Sequence, residues 1–350
     1  MIPGAFIARP TKKWSRHDGV RMGTVVITGA AGFVGFHACV RLMALGHKVV
    51  GVDNLGPLFF PSLKHARLEA LQKSADFVFH KLDLADHGVF EDLVAQVRPD
   101  VIIHLAAQTG VRYSAENPGI YVKNNVEAFT NVLQAARLNS VPRLLYASSS
   151  SVYGEGDGQR SEAERADQPV SFYAATKRAN ELMAYSYASQ FGLPSVGMRF
   201  FTVYGPYGRP DMAVWTFTGQ MLRGQPVSLY NNGQMQRDFT YVDDVVQGIV
   251  RLMEVPLTGA LSVNVGSGRS EPLARLIEVL SRVTGSQPIL NPMPMQAGDV
   301  SSTWSSCDRL FELTGHRTGI SLDVGIPKFV DWFSKHPSIV DAVEAERVDQ

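Results

Sequence analysis

The chain has 350 residues, of which 45% are hydrophobic and 19% are charged. Its 33 Lys and Arg residues balance 33 Asp and Glu residues, so there is no basic excess to neutralise the phosphates of a nucleic acid. No apolar run reaches the ~18 residues of a membrane helix. Cys39 and Cys307 form no CxxC motif and lie beside no histidine pair, which argues against a disulfide framework or a metal site. We therefore expect a cytoplasmic protein without nucleic-acid or membrane partners.

The chain begins with a basic segment, residues 1–22, that has no apolar periodicity. This composition predicts a disordered tail. We predict a cofactor-binding domain over residues 23–200. A smaller substrate domain is predicted over residues 201–338, with some segments that return to the first domain. Residues 339–350 are predicted to form a polar, frayed tail.

Short apolar runs alternate with stretches of helical periodicity in the first domain. Strands are predicted at residues 24–28, 48–52, 76–80, 101–104, 143–147 and 195–200. Helices are predicted at residues 33–45, 118–138 and 171–191, and in the second domain at 243–253, 272–283 and 323–333. Continuous apolar strands separated by helices indicate a parallel sheet covered on both faces. The predicted fold is α/β, a Rossmann-type doubly wound parallel sheet followed by a smaller mixed α/β domain.

Three glycines, Gly29, Gly32 and Gly35, lie between the first strand and the first helix. Glycines at this spacing allow a tight turn, let the backbone approach a pyrophosphate, and let the helix pack on the strand. Asp53 ends the second strand, where a carboxylate accepts hydrogen bonds from the ribose hydroxyls of NAD and disfavours the 2′-phosphate of NADP. Asp83 ends the third strand, where an adenine amino group would need an acceptor. The predicted cofactor is therefore NAD.

A YxxxK pattern lies in the helix predicted at residues 171–191, as Tyr173 and Lys177. The spacing places both side chains on one helix face. A lysine ammonium and a positively charged nicotinamide would lower the tyrosine pKa, so that the phenolate could take a proton from a carbinol. A serine run, residues 148–151, follows a strand directly, and hydroxyls at such a strand end face the ligand crevice.

The sequence resembles the extended short-chain dehydrogenase/reductase superfamily over residues 23–335, and within it the UDP-glucuronate 4-epimerase family. The segments that carry the resemblance are TGAAGFVG, GVDNL, HLAAQTGVRYS, SSSSVYG, SFYAATKRANELMA, RFFTVYGPYGRPDMA, YNNGQMQRDFTYVDD and PMQAGDV. Two departures are Thr109, where the family often has alanine, and the GPLFFP segment at residues 56–61, which replaces a more polar loop.

The resemblance implies a role for each matching residue. Tyr173 would be the base, Lys177 its partner and a ligand of the nicotinamide ribose, and Ser149 the hydroxyl that binds the reacting sugar oxygen. The implied cofactor contacts are Gly29, Gly32, Phe33, Val34, Gly35, Asp53, Asn54, Asp83, Leu84, Leu105, Ala106, Ala107, Gln108, Tyr173 and Lys177. The implied substrate contacts are Ser149, Ser150, Ser151, Thr202, Arg209, Tyr230, Arg237 and Asp299.

The resemblance further implies reversible oxidation at C4 of a UDP-sugar, which interconverts UDP-glucuronate and UDP-galacturonate. Related dehydratases and decarboxylases usually carry an acidic residue after the catalytic hydroxyl, whereas this chain has Ser150 and Ser151. Epimerisation without elimination is therefore the preferred interpretation. The alternatives are a 4-epimerase of a neutral UDP-sugar, a UDP-glucuronate decarboxylase, a net dehydrogenase and a catalytically silent NAD-binding scaffold. By the same analogy, the helices at residues 118–138 and 171–191 would form the interface of a homodimer.

Overall fold

A computed structural model describes residues 15–17, 20–58, 60–294 and 302–348. The first strands are β1 (Ser15–His17), β2 (Val20–Met22), β3 (Thr24–Thr28), β4 (Lys48–Asp53), β5 (Phe77–Lys81), β6 (Val101–His104), β7 (Leu144–Ser149), β8 (Gln159–Arg160) and β9 (Ser195–Phe200). The later strands are β10 (Thr202–Tyr204), β11 (Val227–Tyr230), β12 (Gln236–Arg237), β13 (Phe239–Tyr241), β14 (Ala260–Val265), β15 (Glu271–Pro272), β16 (Leu290–Met293) and β17 (Ser302–Ser305).

The helices alternate with these strands. They are α1 (Phe33–Ala44), α2 (Pro61–Leu71), α3 (Val89–Val97), α4 (Tyr113–Glu116), α5 (Pro118–Tyr121), α6 (Ala128–Leu138), α7 (Phe172–Phe191), α8 (Ala213–Leu222), α9 (Val242–Leu252), α10 (Leu273–Thr284), α11 (Asp308–Thr314), α12 (Leu322–Lys335) and α13 (Pro337–Val348). A π-helix spans Val122–Glu127, and 3-10 turns lie at Ser150–Tyr153 and Asn231–Gly233.

A seven-stranded sheet forms the centre of the larger half, in the order β14-β9-β7-β6-β3-β4-β5. All its pairings are parallel. The strand order reverses between β3 and β6, so the chain leaves a crevice at the carboxyl ends of these strands, where open α/β sheets bind ligands. The predicted fold class, a doubly wound parallel sheet with a smaller second domain, is confirmed.

Both faces of the sheet are buried, which explains the continuous apolar strands. One core joins the strands to α1 and α9, and a second joins them to α3 and α6. Strand β14 is therefore part of the large sheet, and helix α9 packs on that sheet, although both follow residue 200. A separate core of the second half packs α8, α10 and α12 around Trp215 and Phe329.

The two chain ends differ from the predicted tails. Within the predicted disordered segment, β1 and β2 pair as an antiparallel hairpin; residues 1–14, 18 and 19 lie outside the described residues. The predicted polar C-terminal tail is the helix α13, because Val340 and Val343 bury their side chains in the second core. Glu346 also accepts hydrogen bonds from the N–H and the hydroxyl of Ser62, both at 3.0 Å, which joins α13 to α2.

His104 lies at the carboxyl end of β6, buried against the ring of Phe129. Its Nδ1 is 2.8 Å from the hydroxyl of Thr28, and burial lowers the pKa of the ring to about 3. His104 is therefore a neutral packing residue at neutral pH. Within residues 15–17, 20–58, 60–294 and 302–348, no helix is long and apolar enough to cross a membrane, and no cluster of three metal-ligating side chains occurs.

Candidate active site

A cleft of about 1030 Å³ opens at the carboxyl ends of the parallel strands, between the two halves of the molecule. The predicted residues that line it are Gly29, Gly32, Phe33, Val34, Gly35, Asp53, Asn54, Asp83, Leu84, Leu105, Ala106, Ala107, Gln108, Ser149, Ser150, Ser151, Tyr173, Lys177, Thr202, Arg209 and Arg237. Tyr230, at the end of β11, does not line the cleft, and Asp299 lies outside the described residues.

The glycine turn joins β3 to α1 in a conformation that other residues adopt poorly. Gly29 has a φ of 72°, and its N–H donates to the carbonyl of Val52 at 2.7 Å. A Cβ on Gly35 would lie 2.0 Å from the carbonyl oxygen of Gly29. Gly32 precedes α1, and no side chain in the described part of the chain caps its first N–H groups. The turn therefore presents a helix N-terminus to the cleft, which suits a phosphate group.

Two strand-end carboxylates border this part of the cleft. Asp53 accepts the N–H of Leu55 at 2.9 Å and the N–H of Ala31 at 3.2 Å. Asp83 accepts the N–H of Ala85 at 3.0 Å and pairs with Lys123 at 3.2 Å. Burial acts to raise the pKa of Asp83, but these hydrogen bonds outweigh it and lower the pKa. Asp83 is therefore an anion at neutral pH.

The loop after β6 is held by Asn125, which the sequence analysis did not identify. Its side chain accepts the N–H of Gln108 at 2.7 Å and donates to the carbonyl of Gln108 and the hydroxyl of Thr176, both at 3.0 Å. The Thr176 hydroxyl in turn donates to the carbonyl of Tyr173 at 2.7 Å. Asn125 lies in the π-helix that interrupts the helix predicted over residues 118–138. This extra backbone residue per turn brings its amide between the cofactor loop and α7.

The helix α7 carries Tyr173 and Lys177 into the cleft. It begins after Ser171, whose hydroxyl caps it by accepting the N–H of Ala174 at 3.1 Å. Lys177 is 1% exposed, and its Nζ donates to the carbonyl of Ala147 at 3.0 Å. Burial lowers the pKa of Lys177 to about 8. A buried ammonium therefore lies one helical turn from the tyrosine, at the end of β7.

The phenol of Tyr173 is under opposing influences. Withdrawal from water raises its pKa, whereas the charge of Arg209 and a hydrogen bond with Ser149 act to lower it. The sequence analysis assigned the lowering effect to Lys177 and the nicotinamide. In the structure Arg209 is a further cation that acts to lower the pKa of Tyr173, and the sequence analysis had assigned Arg209 to substrate binding alone. Ser149 and Tyr173 line the same cleft, so the structure brings the predicted hydroxyl and the predicted base together.

The serine run forms a compact turn beside this pair. Ser149 ends β7, and its Oγ accepts both the N–H of Ser151 at 3.2 Å and the hydroxyl of Ser151 at 2.8 Å. Thr202 faces the same cleft from β10. Arg209 enters it from the following loop, where its Nε donates to Asp211 at 3.0 Å. The cleft around the phenol is therefore lined by hydroxyl groups and by the two cations Lys177 and Arg209.

Two basic residues of α2 also line the cleft and were missed, because the sequence analysis left residues 61–71 unassigned. Arg67 is buried and donates to the carbonyls of Ala31 at 3.0 Å and Tyr207 at 2.7 Å. Burial lowers its pKa to about 9, although Asp53 opposes this. Lys64 lies 3.9 Å from Asp53. Arg67 thus joins the glycine turn to the loop that precedes Arg209.

A glycine turn, a strand-end carboxylate and a Ser–Tyr–Lys group in one cleft define a nucleotide-dependent enzyme of the short-chain dehydrogenase/reductase class. The profile of the NAD dependent epimerase/dehydratase family matches residues 25–266. The chain belongs to this family, as the sequence analysis predicted.

Several individual proteins of this family are similar to the chain over most of their length. A probable UDP-glucuronate 4-epimerase of Rhizobium meliloti (strain 1021) is 42% identical over 330 residues, which cover 89% of this chain and 97% of that protein. The structure is similar to that of the UDP-glucuronic acid 4-epimerase of Bacillus cereus in complex with UDP-glucuronic acid and NAD, at a TM-score of 0.84 and 31% identity over 89% of this chain and 99% of that one. The structure is also similar to that of a UDP-glucose 4-epimerase of Thermotoga maritima with UDP-glucose, at a TM-score of 0.80 and 28% identity. This match covers 90% of this chain and 99% of that one.

Proposed function

We propose that this protein is an isomerase, an NAD-dependent 4-epimerase that interconverts UDP-glucuronate and UDP-galacturonate through a transient 4-keto sugar. The observation that carries the proposal is that Ser149, Tyr173, Lys177 and Arg209 line one cleft together with the glycine turn. Two of the relatives described above have UDP-glucuronate or UDP-glucuronic acid as the sugar nucleotide in their names.

The residues of the cleft fit NAD. The uncapped start of α1 suits the pyrophosphate. Asp53 suits the adenosine ribose, because its carboxylate lines the cleft at the end of β4 and two backbone N–H groups hold it there as an acceptor for the ribose hydroxyls. A bound NAD would supply the hydride acceptor, and in its reduced form the hydride donor, for oxidation and reduction at C4 of the sugar, and a turn of the sugar between the two steps would present its opposite face. The residues that would hold it are Gly29, Gly32, Phe33, Val34, Gly35, Asp53, Asn54, Asp83, Leu84, Leu105, Ala106, Ala107, Gln108, Tyr173 and Lys177.

Tyr173 removes the proton of the sugar O4 as the C4 carbonyl forms, and gives it back when the alcohol is restored. Arg209 and Ser149 support the phenolate form, because a cation and a hydrogen bond both stabilise the negative oxygen. The buried ammonium of Lys177 adds positive charge at the same helix face and would bind the nicotinamide ribose. Each side chain acts by holding or moving a proton at O4 or at the phenol oxygen.

The carboxylate of UDP-glucuronate must be restrained, because the 4-keto intermediate is a β-keto acid. Such an acid loses CO₂ when its carboxylate aligns with the carbonyl π system. Ser149, Ser150, Ser151 and Thr202 would hold the carboxylate out of this alignment with hydroxyl donors. Arg209 and Arg237 line the cleft and would bind the UDP moiety. Tyr230, for which the resemblance implies the same role, lies at the end of β11 and outside the lining of the cleft.

A homodimer is the quaternary state that we propose. The face of α7 opposite the cleft exposes Tyr185 at 66% and Leu182 at 56%, and Leu138 at the end of α6 is 50% exposed. Apolar side chains on two neighbouring helices would be buried if a second copy packed against them. Light scattering should give about twice the 38.3 kDa of one chain, and the mass of a single chain would refute the dimer.

Both cysteines are free, which supports a cytoplasmic location.

The test is to incubate the purified protein with UDP-glucuronate, without added cofactor, and to follow the sugar by proton NMR. UDP-galacturonate without loss of CO₂ is the expected product. A UDP-pentose would overturn the proposed restraint of the carboxylate. If the protein converts UDP-glucose but not UDP-glucuronate, the proposed 4-epimerase mechanism stands and the proposed substrate is wrong. Stoichiometric release of NADH would indicate a net dehydrogenase, and bound NAD without any turnover would indicate a silent scaffold.

A further inference from the structure

A buried ion pair lies behind the catalytic helix, outside the cleft. Glu181 and Arg199 are 5% and 3% exposed, and Arg199 donates from Nε and Nη2 to the two carboxylate oxygens of Glu181, both at 2.8 Å. Burial acts to raise the pKa of Glu181, but the hydrogen bonds and charge of Arg199 outweigh it and lower the pKa. Glu181 is therefore an anion at neutral pH, held in a bidentate pair.

The same carboxylate reaches the strand that carries the catalytic serine. The hydroxyl of Ser148 donates to Glu181 at 2.6 Å, and Ser148 is 2% exposed. Glu181 is one turn beyond Lys177 and two turns beyond Tyr173 on the same face of α7. A short hydrogen bond to an ionised and buried acceptor is among the stronger contacts in a protein.

Three residues of α7, each four apart, therefore contact three successive residues at the end of β7. Lys177 donates to the carbonyl of Ala147, and Glu181 accepts from the hydroxyl of Ser148. Tyr173 faces the same cleft as Ser149, whose hydroxyl acts to lower the tyrosine pKa. Of these contacts only the one made by Tyr173 belongs to the reacting groups. The other two join the end of β7 to the helix, in addition to the ladder that pairs Ser148 and Ser149 with β9.

We propose that Glu181 is a positioning residue for the epimerase reaction: by holding Ser148 and pairing with Arg199, it sets the place of Ser149 against Tyr173. The inference rests on the proposed function for its kinetic readout. The physical reason is that Glu181 binds both Ser148 on β7 and its register partner Arg199 on β9, and so fastens to α7 the two strands that hold Ser149. If Ser148 is released, the serine turn can move away from Tyr173 without disturbing the cofactor side of the cleft.

Two variants test this, each compared as purified holoenzyme with the wild type. Glu181→Gln removes the charge at nearly constant shape, and Ser148→Ala removes one hydrogen bond and leaves the ion pair intact. The matched control is Asp244→Asn on α9, because Asp244 is also buried and accepts the N–H groups of Gly319 at 3.0 Å and Ile320 at 2.9 Å, but lines no part of the cleft.

The kinetic readout separates positioning from stability. We expect both site variants to keep wild-type NAD content and a KM for the UDP-sugar within about twofold, and to lower kcat by about tenfold to a hundredfold, since a misplacement near 1 Å has effects of that size. Kinetics use whichever of UDP-glucuronate and UDP-glucose the wild type turns over. The control should lower the melting temperature without changing kcat per folded molecule.

Amide hydrogen exchange gives a readout that needs no substrate. The N–H of Ser151 is bound to Ser149, so residues 147–153 should exchange faster in both site variants, whereas Asp244→Asn should affect residues 316–320 instead. Unchanged exchange over 147–153 would overturn the inference, and so would a wild-type kcat in Ser148→Ala or an equal loss of kcat in the control. Failure of the wild type with both sugars would refute the proposed function, and exchange would still decide the positioning role.

Discussion

Replacing Tyr173 by phenylalanine removes a single oxygen atom from the cleft. The ring remains in place, since its packing partner is the ring of Tyr121, with the two centroids 6.2 Å apart. What is lost is the proton acceptor for the sugar O4 and the contact with Ser149. A positioned acid–base group contributes about a hundredfold to ten-thousandfold in rate, which is about 2.7 to 5.4 kcal/mol of barrier at 1.36 kcal/mol per tenfold. We expect kcat to fall by that factor.

The assay is the rate of UDP-galacturonate formation by NMR, with bound NAD and the melting temperature measured on the same sample. Tyr121→Phe is the control, because the Tyr121 hydroxyl donates to the backbone carbonyls of Thr109 at 2.7 Å and Gly110 at 2.6 Å and interacts with the Gln108 side chain, but is none of the proposed reacting groups. Its loss should cost about 1 kcal/mol of stability and less than about tenfold in rate. A Tyr173→Phe enzyme that binds NAD and keeps more than a tenth of the wild-type kcat would refute the role of Tyr173 as base.

Three further predictions concern the cofactor side, the pH profile and the chain end. Ser149→Ala should move the acid limb of kcat/KM to higher pH, because the base acts when deprotonated and loss of this hydrogen bond raises the pKa of Tyr173; an unmoved limb would contradict the contact. Asp53→Asn should release NAD during gel filtration and improve the ratio of NADP to NAD binding, and calorimetry showing wild-type NAD affinity would exclude the ribose role. Val343→Ala should lower the free energy of unfolding by about 1–3 kcal/mol through the cavity that it leaves, whereas the exposed Asp341→Ala should change it by less than about 0.5 kcal/mol; equal denaturation midpoints would show that α13 is not docked.

Much of the fold follows from local pattern. Residues 24–28 and 101–104 are continuous apolar runs, and a strand buried on both faces requires that pattern. The glycine turn was likewise predictable, since only glycine fits where a Cβ on residue 35 would lie 2.0 Å from a carbonyl oxygen. Tyr173 and Lys177 were found because helical spacing places them on one face. These features depend on residues close together in the sequence.

Other features depend on which distant residues meet. The C-terminal segment reads as polar, yet Val343 has a buried site because α13 packs on the second core and on α2. In the sequence, Asn125 is one polar residue among others in an amphipathic pattern. In the structure, the π-helix places its side chain between Gln108 and Thr176. Charge and hydrogen bonding act through space, so composition alone did not show that Arg209 also acts on the pKa of Tyr173. The sequence by itself determined six of the seven strands of the large sheet, the glycine turn and the helix that carries the YxxxK pattern, whereas only the tertiary structure decided the partners of each buried polar group.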